Sequence, residues 1–120
     1  MTTTTTGIEF KRFYGDRAFW PQGGKTYHDD TLFVVDGRPL REEEDPADIP
    51  DRVILEIRSG FVIGIPQGVA GGVEEMDLGE YFLLWQKTQS TVTLVLECPR
   101  DALDQVIAVA TRAGARVPQA

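Results

Sequence analysis

The chain holds one cysteine, Cys98, and one histidine, His28, with Asp29 and Asp30 directly after the histidine. A thiol, an imidazole and a carboxylate are the residue types of a nucleophile, a base and an orienting acid. Adjacent residues of an extended chain point to opposite faces, so His28 and Asp29 diverge while His28 and Asp30 share a side. No spacing ties this pair to Cys98. The thiol precedes Pro99 at an expected helix start, where a dipole would favour thiolate, but Glu97 and Asp101 flank it with negative charge. A small buried apolar thiol is the expectation. A single cysteine and a single histidine exclude an internal disulfide and any zinc site built on several thiolates or imidazoles. No metal, cofactor or catalytic residue is expected.

Carboxylates are the second candidate chemistry. The stretch REEEDPADIPD, residues 41–51, carries Glu42, Glu43, Glu44, Asp45, Asp48 and Asp51 against Arg41 alone. Their spacing does not fit the alternate-position ligands of an EF-hand calcium loop, and the stretch has no glycine for that loop's sharp turn. Pro46 and Pro50 stiffen it, which lowers the entropy lost when a partner docks. Glu74, Glu75 and Asp77 form a second acidic group after the glycines at 68, 71 and 72. The glycine series lacks the GK[ST] ending of a P-loop and the strand-GxGxxG-helix setting of a dinucleotide site, so turns account for it. Trp20 and Tyr27, in a stretch with Pro21, Gly23 and Gly24, are candidates to line a small-ligand pocket with His28 and Asp30.

Charge is unevenly spread: residues 1–28 balance at +2, residues 29–80 at −10 and residues 81–120 at +1, giving the net −7. Such a field repels phosphate backbones and raises encounter rates with basic partners. Direct nucleic-acid binding is not expected. No apolar run approaches the roughly 20 residues that span a bilayer. The opening MTTTTTG has neither the basic head nor the apolar middle of a secretory signal, so a cytoplasmic protein is the expectation.

The elements that must position these groups follow from periodicity. Residues 1–7, with their threonine run, read as a mobile leader, and residues 8–118 as a single α+β domain. IEFKRFY alternates like a first strand, and Asp36-Gly37 marks a hairpin whose second arm is short because Pro39 cannot donate to a ladder. Val53, Leu55 and Ile57 alternate before a turn at Ser59-Gly60, and YFLLW and TVTLVLE read as two further strands. Leu103, Val106, Ile107, Ala110 and Ala113 form one helical stripe, closed by Gly114. The expected fold is thus a mainly antiparallel sheet of five to seven short strands with one C-terminal helix packed on one face.

Two kinds of function compete on these grounds. One is a small acidic interaction or inhibitor module that meets a basic protein partner through its acidic loops. The other is a small-ligand domain or small enzyme with a pocket near Trp20, Tyr27 and His28. A homodimeric structural component is the third reading, since one helix cannot cover both faces of a wide sheet.

Overall fold

The computed structural model describes residues 2–117 of the chain. Its strands are β1 (Thr3–Thr6), β2 (Tyr27–Val35), β3 (Arg38–Pro39), β4 (Ile54–Ile63) and β5 (Glu75–Asp77). Its helices are α1 (Gly7–Tyr14), α2 (Leu78–Thr88) and α3 (Leu103–Arg112). All pairings are antiparallel. The order is β1-β4-β2-β3, with β5 beside β1 on the edge of β4 opposite β2. This is the α+β, antiparallel class expected, but with three helices instead of one.

Several local expectations are corrected. The threonine run is no mobile leader: Thr3 and Thr5 are buried and pair with Ile57 and Leu55 of β4. Threonine's β-branched side chain suits a half-buried strand, and the neighbouring sheet supplies the packing that the run itself lacks. The segment read as a first strand is α1, started by the Thr6 side chain accepting from the Glu9 amide at 3.3 Å. Its Phe10 and Phe13 are both fully buried.

YFLLW belongs to α2, whose Asp77 side chain caps the Glu80 amide at 3.0 Å. Leu78, Tyr81, Phe82 and Trp85 recur at helical spacing and face the core. Ser59-Gly60 makes no hairpin. Chain β4 runs straight through it, because Gly60 takes φ +137° where an added Cβ would press Thr31, and the β2–β4 register shifts beside it.

The Asp36-Gly37 hairpin is as expected, with φ values of 47° and 83° at its two turn residues. Pro39 sits on the outer strand, as its missing N–H requires.

Helices α1 and α2 cover one sheet face. Their aromatic rings meet Phe33, Leu55, Ile57 and Val62 in one buried cluster, completed by Phe19, Ile49, Val53 and Ile65. Trp85 donates to Asp16 at 3.0 Å and lies under the Arg12 guanidinium, and Tyr81 donates to the Phe19 carbonyl at 2.6 Å. The opposite face carries Thr4, Thr6, Ile54 and Glu56, with Val34 buried across from Glu56, and no helix covers it among the described residues. Helix α3 exists as expected, and Gly114 at φ +98° ends it with the Ala115 amide returning to the Ala110 carbonyl. It covers no sheet face, since none of its residues is buried. No strand follows Gly114 among the described residues, and residue 118 of the expected domain lies outside them.

Candidate functional site

The acidic stretch folds against the free side of the β2–β3 hairpin. Asp45 caps a single 3-10 turn, Pro46–Asp48, by accepting from the Ala47 amide at 2.9 Å. Upstream, the Glu44 amide donates to the Arg41 carbonyl at 3.0 Å, and the Asp48 amide to that of Asp45 at 2.9 Å. Ile49 closes the segment by burying its side chain in the core. These bonds and two prolines hold residues 41–50 in one conformation.

Between this segment and the hairpin lies an open groove of about 940 Å³. Val35, Leu40, Ile49 and Val53 supply its apolar lining. Asp36, Glu43, Glu44, Asp45 and Asp48 supply carboxylates, against the cations Arg38 and Arg41. A smaller cleft of about 400 Å³ lies on the other side of the same segment, between Glu42, Glu44 and Pro46 and the strand residues His28, Asp29, Asp30 and Thr31.

The nine acidic candidates do not form one surface. Asp45 is spent on its cap, Asp51 pairs with Lys11, and Asp77 caps α2. Glu44 stands 4.0 Å from Arg41 across an exposed i,i+3 pair, which screening makes weak. Glu42, Glu43 and Asp48 have no side-chain partner among the described residues. Glu74 and Glu75 lie on the β5 side of β4, with β4 and β2 between them and the 41–48 segment.

The pocket candidates are partly gathered. Trp20 is half-buried and sets its ring edge against Phe13, Tyr14, Tyr81 and His28. Aromatic rings therefore fill the space beside it. Tyr27 is exposed, and Asp30 turns outward in the left-handed region at φ 50°. His28 finds two partners that the sequence did not single out: Tyr14, whose hydroxyl is 3.3 Å from Nε2, and Thr31, whose hydroxyl is 2.8 Å from Nδ1. The Thr31 hydroxyl donates in turn to the Asp29 carbonyl at 3.2 Å. Nδ1–H of His28 is then the donor to Thr31, and Nε2 accepts from Tyr14.

Burial pushes the His28 pKa below its ordinary value, against an upward pull from Asp29 and Asp45. Burial, with the Asp45 carboxylate second, raises that of Tyr14. A neutral imidazole with both nitrogens engaged ties β2 to Tyr14 at the end of α1. Cys98 is exposed on the C-terminal segment, where a buried thiol was expected, and it lines neither cleft.

Among the described residues no group of three or more His, Cys, Asp or Glu side chains could hold a metal ion, and no helix is long and apolar enough to cross a membrane. The groove's apolar floor escaped the charge-based reading, although Leu40, Ile49 and Val53 stand in and around the acidic stretch at positions that could have signalled it. Compared with protein-family models, with curated proteins and with solved structures, the chain matches none.

Proposed function

We propose that this chain is a protein-interaction module whose groove between the β2–β3 hairpin and residues 41–50 seats a basic segment of a partner protein. The observation that carries this reading is the pairing of an apolar floor with an acidic rim in one groove of about 940 Å³. Such a site suits a partner that inserts one apolar anchor flanked by lysine or arginine. Local hydrogen bonds and the two prolines fix the rim before binding, so little ordering entropy is lost on docking. Glu43 and Asp48, which line the groove and have no side-chain partner among the described residues, are the carboxylates left to meet it. The surrounding field, −10 over residues 29–80, would speed the encounter.

The test is capture from the native host's lysate, with the wild type beside Glu43→Gln/Asp48→Asn and, separately, Leu40→Ser. The expected result is one basic protein retained by the wild type and lost from both variants, with wild-type affinity falling about tenfold or more between low and physiological salt. Equal retention by the charge variant, or affinity independent of salt, refutes the acidic rim as the working surface. The pocket near Trp20 and His28 receives less support, because Tyr14, His28 and Thr31 satisfy one another and aromatic rings fill the space beside Trp20.

A further inference from the structure

The C-terminal segment leaves its apolar side chains in water. Residues 91–99 form no helix and pair with no strand, and Val92, Leu94 and Leu96 are 66%, 64% and 66% exposed. Helix α3 is amphipathic, with Leu103, Val106, Ile107 and Ala110 at i, i+3, i+4 and i+7, yet none of its residues is buried. The whole chain exposes 8534 Å², where a compact 13.3 kDa monomer exposes about 6,500 Å². Its radius of gyration is 16.3 Å against about 14 Å for a compact chain of this length. The four residues outside the described range could supply at most about 600 Å² of the excess.

The root of this arm is fixed to its own body. The Thr93 amide donates to Glu9 at 2.5 Å, and Arg12 bridges Glu9 at 3.1 Å and the Thr93 hydroxyl at 3.2 Å. Glu9 is only 4% exposed, so these contacts answer a buried carboxylate and hold the segment where it leaves α1. Beyond Thr93 the one ion pair between the arm and the body among the described residues is an exposed one, Arg52 with Glu97 at 3.6 Å.

An acceptor lies on the same chain. Strand β1 is an outer strand whose far edge pairs with nothing among the described residues. Its four threonines include no lysine, proline or bulge of the sort that blocks edge pairing. Beside it lies the uncovered face with Thr4 and Ile54.

We infer that two copies of this chain exchange their arms: residues 94–97 of each add to the β1 edge of the other, and α3 lays its apolar stripe on the uncovered sheet face. A strand without an edge and an edge without a strand on one molecule close into a two-fold pair without leaving either open. Burying the excess surface of both copies, less the share of the four residues outside the described range, removes on the order of 3,000 Å², within the range of obligate homodimers. Charge points to the same occupant. Residues 91–117 carry three arginines against three acids, so this neutral apolar arm meets an acidic second copy without repulsion, while a basic partner is drawn to the carboxylates instead. The inference rests on residues separate from the proposed groove.

Sedimentation of the full chain at about 10 µM, a concentration well above the dissociation constant of an obligate dimer, tests it. The expected mass is twice 13.3 kDa, falling to a monomer in Leu94→Asp/Leu96→Asp. Hydrogen exchange of the wild type, which needs no variant, should show the amides of 94–97 and of Thr3–Thr6 slowed about tenfold or more on raising the concentration through the transition. A wild type that stays monomeric overturns the exchange, whether or not its arm amides are protected. A dimer that survives both aspartates, or that leaves Thr3–Thr6 exchange unchanged, overturns it equally.

Discussion

Gly64 and Gly24 offer a matched pair of perturbations. Both lie in the left-handed region, at φ +74° and +75°. A methyl group on Gly24 would meet nothing within 4 Å, whereas on Gly64 it would lie 1.9 Å from the Lys25 carbonyl oxygen. Each Gly→Ala change carries the left-handed penalty of about 1–2 kcal/mol. In Gly64→Ala the two backbones must also separate by about 1 Å to reach contact distance. That movement strains the Thr26 hydroxyl bond to the Gly64 carbonyl, 2.7 Å long, and the adjoining Tyr27–Ile63 pairing. Weakening these bonds adds about 1–3 kcal/mol. Gly64→Ala should therefore cost about 2–5 kcal/mol and Gly24→Ala about 1–2 kcal/mol. Urea unfolding reads both, at one fixed chain concentration because association raises apparent stability. If the two variants lose the same stability within about 0.5 kcal/mol, the close approach at Gly64 does not hold the β2–β4 end together and the reasoning fails.

Tyr81→Phe removes the donor to the Phe19 carbonyl in a buried site and should cost about 1–2 kcal/mol in the same assay, with no change in sedimentation. A neutral result would mean that water reaches that carbonyl. His28 predicts a pH dependence. Its folded pKa lies below the ordinary 6.5, so the unfolded chain binds the extra proton first and stability falls as pH drops from 6.5 towards the folded value. Wild-type unfolding midpoints should be level above about pH 7 and decline towards pH 5.5, while His28→Gln should be flatter across that window. Equal slopes in the two proteins would place the titrating group elsewhere.

Local chemistry alone determined several features. Asp36-Gly37 accepts positive φ at both positions and so makes its hairpin in any surroundings, and Pro39 restricts the following arm to an outer strand. Gly114 ends α3 for the same reason of backbone freedom. Net charge and its concentration in the middle of the chain are likewise properties of composition, and they already pointed to the acidic stretch.

Tertiary structure decided the rest. YFLLW has apolar residues at both helical and strand spacing, so its period is set only when Leu78, Tyr81, Phe82 and Trp85 find one sheet face to pack on. IEFKRFY is ambiguous in the same way until Thr6 caps it and Phe10 and Phe13 enter the core. Ser59-Gly60 has the composition of a turn, but β2 pairs along both sides of it and absorbs the glycine as an irregularity within one strand. The candidate groove depends on Leu40, Ile49 and Val53 meeting across a hairpin and a loop, a long-range contact that no local pattern encodes. TVTLVLE and α3 carry strand and helix patterns that the body of their own chain does not bury. Periodicity states which face of an element must be covered, and only packing supplies the surface that covers it.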